Sequence, residues 1–360
     1  MNDAAASRFR PFEVVSKVRE SATITSFHLA PLDGSHWRSF EAGQFLTLRV
    51  PDGQGGHVLR NYTVSSSPRE EGIYRITVKR EAAPSDEVPQ GLSSCWLHDV
   101  VEPGAVIEID TPRGGFKLDT ASTRPVVLLS GGVGLTPTVS MLNVLARESE
   151  RPVWFIHACD SAEVHALRGE VETLASLRTG ITAHFCYRFT ENCARCHSTG
   201  FLSRTTLQSL LPLDDYDVYM CGPPPFMQAL YGILTELGVR RERIAYEFFG
   251  PASLLTAEDE TTALKAPPAP VAVNGRGVQI VLKKSGRSFA WDGNSDSILA
   301  FLEAQGIEPA FSCRAGVCGT CEQGLFSGEV DYFEDPLDDL PANRVLLCCT
   351  RPKSSVVLDL

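Results

Sequence analysis

Residues 311–324 read FSCRAGVCGTCEQG and set three thiols, Cys313, Cys318 and Cys321, at the spacing C-x4-C-x2-C. A chain with sulfurs this dense has to wrap around something that binds thiolates. The residues between them are small: Ala315, Gly316, Gly319 and Thr320. Small residues let the backbone turn tightly, so that its N–H groups point at the sulfurs and stabilise negative charge. Further along, Cys348 and Cys349 each offer a fourth thiol. Three close cysteines with a distant fourth are the spacing of a [2Fe–2S] cluster. Zinc is the alternative, but it usually takes a C-x2–4-C pair together with a second matching pair. Spacing alone does not choose between Cys348 and Cys349.

The chain has 360 residues, enough for two or three domains at about 100–200 residues each. Its apolar fraction of 43% and charged fraction of 21% suit a globular protein. A formal net charge of −11 argues against a nucleic-acid partner, which calls for a basic face. No apolar run approaches the roughly 20 residues that span a bilayer, so no membrane partner is expected. The N-terminal MNDAAASRFRPFEVV has no apolar core of a secretory signal, and the expected location is cytoplasmic. The 11 cysteines then read as reduced thiols or metal ligands.

Short alternating runs at residues 12–18, 23–29, 44–50, 74–80 and 106–110 are separated by turns such as Pro51-Asp52-Gly53 and Pro103-Gly104. Many short strands so spaced predict a β-barrel. The pattern then changes. Residues 125–130 form a continuous apolar strand, and a glycine-rich turn leads to a helix over 136–147. Strands at 153–158, 181–187 and 217–221 and helices at 163–177 and 225–237 follow. This alternation predicts an α/β domain with a parallel sheet. Residues 251–270, rich in Ala, Pro and acidic groups, read as a linker. The last part begins with a strand at 278–283 and a helix at 297–305. The expected division is 1–120, 121–250, linker 251–270 and 271–360, without internal repeats.

Several motifs fall on this frame. Arg60-Asn-Tyr62-Thr63-Val64-Ser65 is either one more strand with an outward arginine and tyrosine, or a flavin site. In the second reading a guanidinium pairs with a diphosphate, a ring lies on the flavin and a hydroxyl reaches its N5. Gly131-Gly132-Val133-Gly134-Leu135-Thr136-Pro137 follows a buried strand and opens a helix. That is either a plain tight turn or a diphosphate cradle at a helix N-terminus. By themselves Cys221, in the run Cys221-Gly222-Pro223-Pro224-Pro225-Phe226-Met227, reads as a buried free thiol and Glu247 as a solvated surface residue. Asp160, after the second strand of the α/β region, suits a ribose diol and repels a 2′-phosphate. It favours NADH over NADPH, unless Arg188, Arg195 or Arg204 points into the site. Cys193-Ala-Arg-Cys196-His197 matches the c-type haem attachment pattern, a redox pair or half a zinc site, or is loop without a cofactor.

Taken together, these motifs resemble the ferredoxin–NADP reductase superfamily. Arg60-x-Tyr62-Thr63 is similar to its Arg-x-Tyr-Ser signature, and Gly43-Gln44-Phe45 to its Gly-Gln-Tyr/Phe strand. Val78-Lys79-Arg80 resembles its flavin-facing strand and Gly91-Leu92-Ser93-Ser94 its Gly-x-x-Ser diphosphate turn. Thr111-Pro-Arg-Gly114-Gly-Phe116 resembles the turn closing the barrel. Cys221-Gly222-Pro223 resembles its Cys-Gly-Pro loop, and Tyr246-Glu247-Phe248-Phe249-Gly250 the end of its nicotinamide domain. Residues 91–116 look most like the reductase half of flavohaemoglobins, which implies FAD. Residues 271–360 resemble a plant-type ferredoxin, and VLLCCTRPKSSVVLDL then implies Cys348 as the fourth ligand.

The resemblance implies an antiparallel β-barrel for FAD, a Rossmann-like α/β domain for NAD(P)H and a β-grasp ferredoxin domain. It implies that FAD contacts Arg60, Tyr62, Thr63, Val64, Val78, Lys79, Gly91, Ser93, Ser94 and Phe249. NADH would contact Gly132, Gly134, Thr136, Asp160, Cys221, Gly222, Pro223 and Met227, with Thr63, Cys221 and Glu247 nearest the hydride transfer. The implied partner is the terminal component of a Rieske-type oxygenase, with a hybrid-cluster protein as another acceptor. A redox sensor without turnover is a rival from another class, and a c-type electron carrier is a second. The acidic residues Glu329, Asp331, Glu334, Asp335, Asp338 and Asp339 would dock a basic partner or form a solvated loop. The haem-like pattern falls in a variable loop that precedes Gly200-Phe201-Leu202.

Overall fold

In the first part of the chain, alternating side chains give each short strand one apolar face, and the strands close on themselves to bury it. The computed structural model describes residues 9–32, 37–83, 90–189, 196–249 (Phe248 by its backbone), 277–307, 309–311, 313, 314, 316, 319–336 and 340–360. Strands β1 (Arg10–Arg19), β2 (Ile24–Pro31), β3 (Phe45–Pro51), β4 (His57–Thr63), β5 (Tyr74–Lys79) and β6 (Val106–Ile109) form one sheet. Its order is β4-β3-β6-β1-β2-β5, antiparallel throughout. A bridge between Val64 and Ile76 joins the two ends of that order and closes the barrel. Phe12, Phe27, Leu46, Leu48, Ile76 and Ile107 fill the interior.

Helix α1 (Leu92–Asp99) lies against β3 and β5. The sequence reading placed only a turn here. Two serines and a cysteine, Ser93, Ser94 and Cys95, occupy the buried face, so no apolar periodicity announces the helix.

The α/β region runs β7 (Val126–Gly131), α2 (Leu135–Glu148), β8 (Val153–Cys159), α3 (Arg168–Ser176), β9 (Ile181–Tyr187), β10 (Ser198–Thr199), α4 (Arg204–Leu210), β11 (Asp217–Gly222), α5 (Pro224–Glu236) and β12 (Ile244–Phe248). The strands are parallel in the order β10-β9-β8-β7-β11-β12. All six residues of β7 are buried, as a strand covered on both faces requires. The order reverses at β7, whose neighbours are β8 and β11. Such a reversal opens a crevice at the carboxyl ends of the strands.

The helix expected over residues 163–177 is shorter. A 3-10 turn, Ala162–Val164, comes first, and α3 starts only at Arg168. Between them His165, Ala166 and Leu167 are buried, and Leu167 takes a left-handed φ of 54°. Burial of these three side chains overrides the helical pattern.

The barrel and the α/β region share one compact unit, Met1–Phe249. Arg75 on β5 donates to Glu170 on α3 at 2.6 Å, and Asn143 on α2 donates to the same carboxylate at 2.8 Å. Ser140 Oγ donates to the Ser66 carbonyl at 2.9 Å. These bonds fix the flavin region against the nicotinamide region.

The second unit, Gly250–Leu360, contains β13 (Gln279–Leu282), β14 (Ser288–Ala290), α6 (Ile298–Ala304), β15 (Glu322–Ser327), β16 (Val330–Tyr332), β17 (Arg344–Leu346), β18 (Thr350–Pro352) and β19 (Val356–Leu358). Five strands form a sheet in the order β14-β13-β19-β15-β17, with β13 and β19 parallel, and β16 pairs with β18. Ser297 caps α6 by accepting from the Ala300 N–H at 3.1 Å. Ile298, Leu299, Phe301 and Leu302 of that helix enter the core with Ile280, Leu282 and Val356. A mixed sheet gripping one helix is a β-grasp arrangement. The expected linker lies outside the described residues. Among the described residues no helix is long and apolar enough to cross a membrane.

Candidate functional site

The flavin motif lies on β4, which pairs with β3 from Phe45–Thr63 to Pro51–His57. Arg60 and Asn61 are exposed, Tyr62 is half-buried and Thr63 is buried. The Tyr62 hydroxyl is 2.7 Å from Ser93 Oγ, so the motif is tied to α1, and burial pushes the phenol up. The buried Thr63 Oγ1 has no hydrogen-bond partner among the described residues. Leaving a buried hydroxyl unpaired costs about 1–3 kcal/mol. A polar ring atom of a flavin would satisfy it, and the residues present fit that group.

Gly91 opens α1 in a tight turn, where an added Cβ would come within 2.6 Å of Ser94 Oγ. Ser94 Oγ accepts from the Glu81 N–H at 3.2 Å. Lys79 pairs with Glu81 at 3.1 Å. Val64 and Val78 are in the barrel core, so any contribution to the cofactor comes through their backbone. Phe249 is exposed at the end of the unit.

The nicotinamide motifs meet at the reversal of strand order. After β7 a 3-10 turn, Gly132–Gly134, leads straight into the 14-residue α2. Gly132 has φ +55°, and a Cβ there would meet nothing within 4 Å. A side chain would be strained in that conformation and would project into open space beside the helix N-terminus. Gly134 is glycine for the opposite reason: its Cβ would lie 2.3 Å from the Cys221 carbonyl oxygen. Gly222 likewise sits 2.7 Å, measured from an added Cβ, from the Phe226 ring. The two loops therefore interlock through glycine backbone, and the cradle fits a diphosphate.

Thr136 is buried, with Oγ1 donating to the Val133 carbonyl at 3.2 Å. Cys221 is fully buried, and desolvation, then the Glu247 charge, push its thiol well up. Parallel pairing of β11 with β12 puts Cys221 opposite Glu247. Pro223 is exposed at the start of α5, whereas the Met227 side chain is buried. Asp160 is exposed just beyond β8, with Arg188 Nη1 at 3.9 Å. The Arg188 guanidinium lies over Phe189 and Phe201. Arg204 is paired with Glu236 at 3.1 Å, and Arg195 lies outside the described residues.

In the second unit the expected cluster thiols converge. Cys321 and Cys348 are buried and Cys313 is half-buried. Hydrogen bonding with Cys313, Cys321 and Cys349, and then burial, push the Cys348 thiol up. The bond with Cys348 holds the Cys321 thiol down. The Gly316 N–H points at Cys348 Sγ, 3.4 Å away. An N–H aimed at sulfur stabilises a thiolate ligand. Cys349 is fully buried instead, donating to the Leu346 carbonyl at 3.8 Å. The loop turns through left-handed φ at Arg314 (51°), Gly316 (68°) and Gly319 (69°). Glu303 on α6 holds Arg314 through two bonds of 2.9 and 2.6 Å. Cys318 lies outside the described residues. The three thiols and the inward N–H fit an iron–sulfur cluster.

Of the haem-like pattern, Cys193 lies outside the described residues, and Cys196 is disulfide-bonded, which corrects the reading of the cysteines as reduced thiols or metal ligands. His197 Nδ1 accepts from the Phe185 N–H at 2.9 Å, which ties the ring to β9. In the acidic segment Asp331 pairs with Lys353 at 3.0 Å, and Asp338 and Asp339 are outside the described residues. Sequence reasoning missed the Tyr62–Ser93 link, the Arg75–Glu170 contact and the Glu303 anchor. Each joins residues distant in sequence and leaves no local pattern.

Three family models match in order: an oxidoreductase FAD-binding domain at residues 11–118, an oxidoreductase NAD-binding domain at 128–231 and a 2Fe-2S iron-sulfur cluster binding domain at 280–353. The flavohemoprotein of Bacillus thuringiensis subsp. konkukian is 42% identical over 253 residues, 69% of this chain and 62% of that protein. The chain thus spans less than two thirds of the length of the curated relatives it matches first. The flavohem-like FAD/NAD-binding domain of nitric oxide dioxygenase from Vibrio cholerae O1 biovar El Tor is 36% identical. That match covers 67% of this chain and 99% of that one, with a TM-score of 0.61. Phthalate dioxygenase reductase is 26% identical and covers 98% of both chains, with a TM-score of 0.57. The chain belongs to the ferredoxin–NADP reductase superfamily, with an oxidoreductase FAD- and NAD-binding module of the flavohaemoprotein type joined to a C-terminal 2Fe-2S iron-sulfur cluster binding domain.

Proposed function

We propose that this chain is the reductase component of a Rieske-type oxygenase system, taking electrons from NADH and delivering them to the terminal component. The observation that carries this reading is the similarity to phthalate dioxygenase reductase along 98% of both chains. That protein is described as a modular structure for electron transfer from pyridine nucleotides to [2Fe–2S]. Its likeness includes the cluster domain, which the flavohemoprotein match, at 69% of this chain, leaves out. The division proposed is 1–120 for FAD, 121–250 for NADH, 251–270 as linker and 271–360 for the cluster.

Bound FAD supplies a two-electron acceptor for hydride, and the [2Fe–2S] cluster a one-electron carrier. This chain's residues bind and orient them. Arg60 would neutralise the FAD diphosphate, with Gly91, Ser93 and Ser94 as its other contacts. Tyr62, its hydroxyl fixed by Ser93, and Thr63, whose buried Oγ1 is unpaired among the described residues, would hold the flavin ring. Val64, Val78 and Lys79 would continue that wall, and Phe249 would contact the flavin. Gly132, Gly134 and Thr136 receive the NADH diphosphate, and Asp160 accepts from the ribose diol. Cys221, Gly222, Pro223 and Met227 shape the nicotinamide loop, with Glu247 beside Cys221. Cys313, Cys318, Cys321 and Cys348 ligate the cluster. Hydride and electron transfer require no general acid–base pair.

Reduction of a purified Rieske-type oxygenase by NADH and catalytic amounts of this protein tests the reading. Bleaching of the Rieske absorbance supports it. Rapid reduction of cytochrome c with no reduction of any Rieske-type acceptor would remove the assigned partner and leave the reductase activity standing.

A further inference from the structure

At the carboxyl end of β8, within the unit Met1–Phe249, two imidazoles and a thiol come to one place. His157 and Cys159 are two apart on β8, so both project from the same face. His165 reaches them from the segment before α3, which the left-handed Leu167 folds back over the strand. The two rings lie 4.5 Å apart between centroids, tilted by 34°. One ligand-type atom from each of His157, Cys159 and His165 lies within 4.8 Å of the others.

Their surroundings orient them. Ser130, paired with His157 across β7 and β8, lies 2.8 Å from His157 Nδ1. The Tyr187 hydroxyl, from the residue paired with Cys159 on β9, lies 2.8 Å from His165 Nδ1. That phenol oxygen already accepts from Arg168 Nη1 at 2.8 Å, which suits a second N–H donated from His165. With Nδ1–H given to these oxygens, each ring keeps a lone pair on Nε2. His157 Nε2 is fully buried and has no hydrogen-bond partner among the described residues. An unpaired buried nitrogen costs about 1–3 kcal/mol, an unusual thing to leave in a core. A cation between the three side chains would satisfy it.

We propose that His157, His165 and Cys159 form a binding site for a divalent transition metal of the zinc class, made of side chains other than those assigned to the flavin, the nicotinamide and the cluster. Two imidazoles and a thiolate are ligands that zinc takes in preference to magnesium or calcium. The bonds formed are two Zn–N and one Zn–S, and the Cys159 proton leaves to solvent. Zinc lies about 2.0–2.1 Å from nitrogen and about 2.3 Å from sulfur, so loading draws the three side chains together. Cys159 is half-buried, and that side admits the ion and leaves a fourth position for water. Oxygen partners behind both rings match the arrangement that orients histidine ligands at zinc sites.

The test uses the full-length holoprotein, stripped with a mild chelator that spares the cluster and then incubated with zinc chloride. Elemental analysis after desalting is expected to find one retained zinc per chain. Zinc-edge X-ray absorption is expected to show a shell of two nitrogens and one sulfur. Cys159→Ser should weaken zinc binding about 10–100-fold, as should His165→Gln, with flavin content and cluster absorbance confirming the fold. Cys193→Ser with Cys196→Ser should leave it unchanged. No retained zinc in the wild type overturns the proposal. So does zinc that survives Cys159→Ser but disappears in the Cys193/Cys196 double variant, which places the ion in that loop instead. If both single variants fail to fold, the wild-type absorption shell decides: oxygen and nitrogen neighbours without sulfur contradict the site.

Discussion

The two units hold their cofactors by different means. In the unit Met1–Phe249 the proposed site is made of backbone and many weak polar contacts: the glycine turns after β7 and β11, the start of α2, the Thr63 hydroxyl and the Tyr62–Ser93 pair. In the unit Gly250–Leu360 the site is a loop that turns through left-handed residues to gather thiols under the Gly316 N–H. Loss of one weak contact lowers affinity or rate by a graded amount. Loss of one ligand removes the cluster. The flavin–nicotinamide unit should therefore answer mutation by degrees, and the cluster unit by all or none.

The largest effect is expected from Cys318→Ser. It should abolish the [2Fe–2S] absorbance while NADH still reduces the flavin. Retained cluster absorbance would break the comparison at its stronger end. Gly134→Val comes next, because a Cβ at Gly134 would lie 2.3 Å from the Cys221 carbonyl, which cannot move away as a side chain can. Stopped-flow flavin reduction by NADH should fall by more than about 100-fold, roughly 2.7 kcal/mol, with the cluster spectrum intact. A rate within a few-fold of wild type would show that the two loops do not form the cradle. Thr63→Ala removes one hydrogen bond and should slow flavin reduction by about 10-fold, near 1.4 kcal/mol. An unchanged rate would take Thr63 out of the site. The smallest effect should come from Cys349→Ser, which keeps cluster absorbance and EPR intensity. Loss of the cluster there would transfer the fourth ligand from Cys348 to Cys349.

How much of this was legible depended on sequence distance. Cys313, Cys318 and Cys321 stand out in the sequence because their spacing is the one a [2Fe–2S] cluster takes, and the turn at residues 131–137 because it follows an all-buried strand. The barrel and the parallel sheet followed from periodicity. Helix α1 did not, since its buried face is Ser93, Ser94 and Cys95 beside Leu97. The expected start of the third helix failed at Leu167, where burial of a turn outweighs helical preference. Contacts such as Arg75–Glu170 join residues 95 positions apart and have no local signal. The grouping of His165 with His157 and Cys159 depended on that same missed turn, so it emerged only from the fold.

The central claim is that electrons pass from nicotinamide through flavin to the cluster within one chain. An anaerobic NADH titration of the purified holoprotein, followed by visible spectra and EPR, tests it most directly. The account expects flavin bleaching together with a rhombic signal of reduced [2Fe–2S]. A flavin that bleaches while the cluster stays oxidised, or a flavin that NADH leaves oxidised, would contradict it.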